Sequence, residues 1–421
     1  MIFDFHVMLF VIFLIGYASI IFEHQLKINK SALALLTGTL LWIYYLEFGS
    51  GTHSDKITVL LHHLSDISQI LLFLIGAMTI VELIVSHEGF EPVKKAVMIS
   101  NPRQLFWILG LLGFWISSVL DNLTTILVLV SIIRNTVEDY KMRRLLCAGL
   151  VFVVNVGGAW TPIGDITTTM LWIAGRVNTV PLIHSIGLPS LIAMGVFATL
   201  YSMSLPKQKI ALHPVKTDKR PKGSVLVLAL GVAGFLAVPA LKLLFNIPPF
   251  VGMLVSLGVI WIIMDRFHTV HGSAREFKIE YILTKIDISC VLFFLGVLLA
   301  VSCLEAAGIL DWMAKESVNY ISNPYLFAMS IGILSSIVDN VPLVAGVINM
   351  FDVTVYPADH VFWMLNAYCA GVGGSLLIIG SAPGVALMSL MEVPFFWYFK
   401  RVGLYAFVAY LVGWGAIYLL N

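Results

Sequence analysis

The chain has 421 residues, of which 59% are hydrophobic and 12% charged, and its mean hydropathy is +0.95. A soluble globular protein carries roughly 25% charged residues, so the composition excludes that class and points to a polytopic protein surrounded by membrane lipid. The net charge of +1 offers no basic surface for nucleic acid. No signal peptide is expected, because the first apolar run lacks a basic leader and a small-residue cleavage site.

A spanning helix needs about 20 apolar residues. In chain order, such runs lie near residues 6–23, 31–48, 68–86, 182–203, 224–245, 249–264, 287–303 and 402–421. Glycine and proline interrupt two further crossings, 145–175 and 361–391, which brings the expected total to ten. The arms 104–119 with 124–133, and 325–338 with 341–350, are mostly too short to span. Each pair predicts a re-entrant helical hairpin turning near the midplane. Irregular backbone survives at that depth only inside protein or beside a watery cavity. The four cysteines, Cys147, Cys290, Cys303 and Cys369, sit in apolar runs without CxxC spacing and read as packing thiols.

A repeat organises this order. SSVLDN at 117–122 returns as SSIVDN at 335–340, so Asp339 follows Asp121 by 218 residues. Upstream of each copy is SNP, at Ser100-Asn101-Pro102 and Ser322-Asn323-Pro324. Downstream of each is a glycine-rich break, NVGGAWTPIGD at 155–165 and GVGGSLLIIGS at 371–381. Four signals in one order mark a duplicated unit, and paired polar breaks in apolar helices point to a secondary transporter.

Charge sets the expected orientation. With the basic linker 206–222 placed in the cytoplasm, 21 of the 25 Lys and Arg residues fall inside. Only Lys56, Arg176, Lys242 and Lys315 fall outside, as do both termini. Five crossings separate the helix at 68–86 from its counterpart at 287–303, so the second unit is inverted. The expected division is N-terminal scaffold helices 1–59, a first repeat 60–205, a basic linker 206–223 and a second repeat 224–421.

Ionisable residues inside a bilayer are costly and default to function. The candidates are Glu82, Asp121, Asp165, Asp339 and Glu305, all acidic, and no Lys or Arg falls in the core of either hairpin or break. Carboxylates, amides and hydroxyls without Lys or Arg suit a hard cation. Asp121 and Asn122 precede Thr124 and Thr125, whereas Asp339 and Asn340 precede Val341-Pro342. In the first break, Asn155 is expected to end one half-helix and Asp165 to begin the next, with Thr167 and Thr168 in its first turn. The matching positions in the second break are Gly371 and Ser381. The bland alternative for these residues is helix capping, at which Asp, Asn and Ser all excel. Glu82 and His87 are placed at a cytoplasmic entrance, where a histidine can sense pH, although an ordinary interfacial histidine fits as well. HExxH, Walker A and GxSxG motifs are absent. Gly164-Asp165 alone lacks the Tyr-Asp partner an intramembrane aspartyl protease needs.

SSVLDNLTT, NVGGAWTPIGDITTT and TIVELIVSHEGF together resemble the NhaD-type sodium/proton antiporters of the ion transporter superfamily, over roughly residues 60–400. The resemblance implies two hairpins, a transport domain beside a scaffold, and a homodimer. It also implies a functional set of Asp121, Asn122, Thr124, Asn155, Asp165, Thr167, Thr168 and Asp339. The same superfamily holds arsenite and dicarboxylate carriers. The dicarboxylate branch has Ser-Asn-Thr at its hairpin tips, where this chain has Asp-Asn. The expected activity is therefore export of cytoplasmic sodium, and lithium, against protons across a bacterial inner membrane, without a cofactor. Sodium is expected at Asp121, Asn155 and Asp165. A buried carboxyl is harder to ionise, which lets proton and sodium compete for one group. An anion carrier and a membrane enzyme are the rival classes.

Overall fold

The computed structural model describes residues 5–21, 26–89, 97–212, 223–271, 277–321 and 323–420. Lys94, Lys95, Lys216, Lys219, Arg220, Lys222, Arg275 and Ser322 lie outside the described residues. Besides a short helical stretch at Ile279–Ile282 and a 3-10 turn at Leu283–Lys285, the helices are α1 (Phe5–Ile21), α2 (Lys30–Phe48), α3 (His53–Ser86), α4 (Pro102–Ser117), α5 (Asn122–Thr136) and α6 (Tyr140–Ala159). They continue as α7 (Ile166–Ile173), α8 (Thr179–Ser204), α9 (Ser224–Phe245), α10 (Pro249–His271), α11 (Ile288–Ala306) and α12 (Ile309–Tyr320). The last are α13 (Pro324–Ser335), α14 (Asn340–Met350), α15 (Val361–Gly373), α16 (Ala382–Leu390) and α17 (Phe395–Leu420), the last containing a π turn at Phe399–Gly403. Among the described residues there is no strand, only an isolated bridge between Val137 and Leu212.

Among the described residues, eight helices are long and apolar enough to cross a membrane by length and composition: α2, α3, α6, α8, α9, α10, α11 and α17. Of the expected crossing at 6–23, the described residues form α1, an apolar helix of 17 residues, and residues 22 and 23 lie outside them. α3 begins well before the expected residue 68, because Thr52 caps it by accepting from the Asp55 N–H at 3.2 Å. The expected domain boundary at 59–60 therefore falls inside one continuous helix of 34 residues.

The duplicated motifs fold alike. Asn101 and Asn323 each accept a hydrogen bond from the backbone two residues on, at 3.0 and 2.9 Å, and a proline opens α4 and α13 directly after them. An amide N-cap followed by proline is a strong helix start. Asp121 and Asp339 cap α5 and α14. The Ser117 hydroxyl donates to the Val154 carbonyl at 2.6 Å, and the Ser335 hydroxyl to the Ala370 carbonyl at 2.7 Å.

One sequence expectation needs correction. Asn155 does not end its half-helix; α6 runs four residues further, to Ala159. Gly157 serves close approach there: a Cβ on it would fall 2.5 Å from the Phe114 carbonyl oxygen of α4. Gly373 is pressed against the Gly332 carbonyl in the matching place. Small residues that let backbones touch are the main packing device between helices in lipid. The break itself comes at Trp160–Asp165, where Gly164 packs against the Ser117 carbonyl.

Packing sorts the helices into two bundles. α1, α2, α3, α9, α10 and α11 form one, and its closest pair is α2 with α11, where Gly38 faces the Gly296 carbonyl. α4 to α8 and α13 to α17 form the other. Within it, α6 and α15 are innermost, buried without interruption from Leu146 to Ala159 and from Phe362 to Gly373. Contacts across the seam are sparse and come chiefly from α14 against α11 and α7 against α3.

Candidate ion-binding site

The two breaks and the first hairpin tip meet in one buried polar cluster. Asp165 caps α7, with Oδ1 accepting from the Thr167 N–H at 2.9 Å and from the Thr167 hydroxyl at 2.7 Å. Its Oδ2 accepts from the side-chain amide of Asn122 at 2.6 Å. That same amide donates to Asn155 Oδ1 at 2.9 Å. Asn155 in turn donates to the Ser381 hydroxyl at 3.0 Å. Asp165 is 2% exposed and Asn155 fully buried, so the cluster is withdrawn from solvent. Gly371, the position matching Asn155, lies beside the cluster: a Cβ on it would be 3.4 Å from Asp165 Oδ2, an ordinary van der Waals contact.

Asp121 stands at the rim. Its Oδ1 accepts from the Thr124 N–H at 2.9 Å and its Oδ2 from the Thr124 hydroxyl at 2.7 Å. Its backbone has φ of 59°, a left-handed conformation that strains a non-glycine residue. Thr125 is buried and donates to the Asp121 carbonyl at 2.6 Å. Thr168 is buried and donates to the Ala159 carbonyl at 3.5 Å, the last residue of α6. All three predicted aspartates are thus caps as well as site candidates.

The second repeat contributes less. Asp339 is half-buried and caps Val341 at 3.2 Å, with no bond to the cluster among the described residues. Asn340 is buried beside it at the start of α14. Ser381 holds the N-cap position of α16 but makes no cap bond; its hydroxyl is taken by Asn155 instead.

Two cavities flank the cluster at opposite ends of α3. One, of about 520 Å³, is lined by Glu82, Glu88, Thr124, Ser131 and Asn135, with Lys285 at its edge. Glu82 there accepts from Ser86 at 3.0 Å, and Lys285 donates to the same hydroxyl at 3.2 Å. Thr124 therefore joins this cavity to the Asp121 carboxylate through one hydroxyl. The other, of about 430 Å³, is lined by His63, Asp66, Arg176, Ser302 and Glu305 and reaches Met170 and Ile173 of α7. His63 and Glu305 approach to 3.7 Å across it.

A search against known families matches the citrate transporter model, CitMHS, over residues 17–365. A sodium/proton antiporter of Arabidopsis thaliana, "Sodium/proton antiporter 2", is 43% identical over 96% of this chain and 96% of its own length. The Na(+)/H(+) antiporter NhaD of Vibrio cholerae is 32% identical over 97% of this chain and 88% of its own. That of Halomonas elongata is 30% identical over 90% and 80%. The chain belongs to the CitMHS transporter family, alongside the NhaD-type sodium/proton antiporters. Two of the three motifs that suggested this membership, SSVLDNLTT and NVGGAWTPIGDITTT, supply every member of the polar cluster except Ser381.

His87 corrects a second expectation for this family member. It does not line the cavity that holds Glu82. It is fully buried, stacked on His268 with ring centroids 5.2 Å apart and bonded to the Leu83 carbonyl at 2.8 Å. Burial, the largest influence, holds its pKa down at about 4, with His268 and Lys285 adding repulsion. A histidine so placed stays neutral through the physiological range. Ser117 and Thr161 were missed as site supports. Thr161 donates to the Ser118 carbonyl at 2.6 Å, so both hydroxyls lash the hairpin tip to the broken helix. The duplicated serine pair of SSVLDN and SSIVDN was the available signal.

Proposed function

We propose that this protein exchanges cytoplasmic sodium, and lithium, for external protons by alternating access, with Asp165 as the shared carboxylate. The observation that carries the proposal is the Asn122 amide held between Asp165 Oδ2 and Asn155 Oδ1. An –NH2 group bonded to two oxygens in this way stands where a dehydrated monovalent cation would be ligated. When sodium binds, Asn122 turns its carbonyl oxygen inward, and Asp165, Asn155 and the Thr167 hydroxyl complete an oxygen shell. When a proton binds Asp165 instead, the charge that holds sodium is gone. One carboxylate cannot hold both, which enforces exchange rather than co-transport.

The corresponding contacts in the two units, Ser117 to Val154 and Ser335 to Ala370, Gly157 to Phe114 and Gly373 to Gly332, support an inverted repeat with two re-entrant hairpins. The sparse seam supports a moving bundle against a scaffold in a multi-pass membrane protein, which we place in an inner membrane as a homodimer. The Glu82 cavity is assigned to the cytoplasmic side by the basic loops, and the Glu305 cavity to the outside. The relatives carry sodium/proton antiport in their names, and the acidic site disfavours a carboxylate substrate such as the citrate of the family model's name.

The test is a sodium pulse to purified protein in sealed proteoliposomes containing a pH dye. Sodium-dependent proton flux, with no uptake of labelled citrate, is expected. Citrate uptake without proton flux would overturn the reading.

A further inference from the structure

Lys242 sits in the last turn of α9, on the bundle opposite the ion-binding cluster. Its ammonium crosses the seam and donates to the Trp172 carbonyl at 2.6 Å, while lying 4.3 Å from the centroid of the Trp172 ring. Trp172 is fully buried near the C-terminus of α7, and its carbonyl also accepts from the Gly175 N–H at 3.2 Å. The Lys242 ammonium therefore joins two helix C-termini, its own and that of α7, both of which carry partial negative charge. The ring face adds a cation–π attraction. The other side-chain hydrogen bonds described above stay within one bundle.

α7 is eight residues long, and Asp165 caps its N-terminus. The half-helix thus has a carboxylate of the ion site at one end and a cross-seam cation at the other. The Lys242 contact lies at the Glu305 end of the molecule: Met170 and Ile173 of the same short helix line the Glu305 cavity. The Glu82 cavity, by contrast, reaches Thr124 beside the Asp121 carboxylate. The seam is therefore fastened on one side while the site is approached from the other.

We propose that Lys242 is a positioning residue, a latch that holds α7 against the scaffold bundle on the Glu305 side and lets go when the site turns to that side. The inference rests on the alternating-access reading. A charge-assisted bond of this kind favours the latched state by about tenfold or more.

The experiment uses the full chain in proteoliposomes and two readouts. In a Met170→Cys background, where position 170 is 2% exposed in the latched state, a membrane-impermeant thiol reagent is applied from the Glu305 side. Lys242→Met should speed labelling by about tenfold, matching the lost preference. It should also raise the apparent KM for sodium from the Glu82 side by a similar factor without lowering the maximal rate. Lys242→Arg, which keeps charge, donors and ring contact, should stay within about twofold of the parent. Lys242→Gln, a neutral donor, should fall between the two and serves in place of Lys242→Met should that variant fail to accumulate. Unchanged labelling and KM in the neutral variants would overturn the latch. So would a fall in maximal rate that follows protein amount at constant KM, the mark of a plain structural contact. The labelling arm needs no transport, so it decides the latch even if sodium-driven proton flux proves absent.

Discussion

The Asn122 amide and Asp165 Oδ2 are 2.6 Å apart, although 43 residues separate them in the chain. This bond brings the hairpin tip to the broken helix and makes a single site of two motifs. Asn122→Ala leaves the buried Oδ2 of Asp165 without its Asn122 donor, at a cost of about 1–3 kcal/mol. We expect the apparent sodium affinity to fall by about tenfold or more, with Asn122→Gln losing less. Sodium titration of proton flux for both variants checks this, and equal affinities in Ala and parent would break the link.

Asp121 and Asp339 cap matching helices, but only Asp121 is bonded to a cavity-lining hydroxyl, that of Thr124. Asp121→Asn should therefore impair exchange more severely than Asp339→Asn. Turnover of the two proteins, compared at saturating sodium, carries the comparison. The reverse order would move the ionic weight to the second repeat.

Gly157 and Gly373 each face a backbone carbonyl of the neighbouring hairpin arm at a separation that admits no Cβ. Gly157→Ala and Gly373→Ala should each destabilise by about 1–3 kcal/mol through overpacking. Gly195→Ala, which meets nothing within 4 Å, should be neutral or slightly stabilising. Thermal unfolding in detergent reads all three, and a neutral Gly157→Ala would contradict the close approach.

The basic linker fixes the orientation in this account. A cysteine placed at Thr217 should react with impermeant reagent only from the cytoplasmic side. Reaction from outside would reverse the assignment of both cavities.

Much of this was legible because polar residues are rare in an apolar chain and the motif occurs twice. SNP marks helix starts through Asn101-Pro102 and Asn323-Pro324, and the glycine-rich breaks mark discontinuous helices. The role of Gly157 was misread, since glycine interrupts a helix in one setting and lets two helices touch in another. The His87–His268 pair, 181 residues apart, and the Lys242–Trp172 contact depend on tertiary packing that no local spacing encodes. The polar His53–Gln69 stretch hid the first half of α3, because hydropathy finds the apolar part of a helix and not its wet end.

The central claim is that sodium and proton compete for Asp165, and the pH dependence of sodium affinity tests it most directly. For one shared carboxylate below its pKa, the apparent sodium constant rises about tenfold for each unit that pH falls, because tenfold more protons must be displaced. Proton flux at graded sodium, measured between about pH 6 and 9 on the parent, Asp165→Asn, Asp165→Glu and Asp165→Ser, gives that slope. Asp165→Asn keeps an oxygen without the charge and should weaken sodium binding and flatten the slope. Asp165→Glu should keep the slope with an altered sodium-over-lithium preference. Asp165→Ser keeps a residue type that caps helices well at the N-cap of α7, but should lose exchange. Normal, pH-sensitive exchange by the Ser protein would reduce Asp165 to a helix cap and contradict the account.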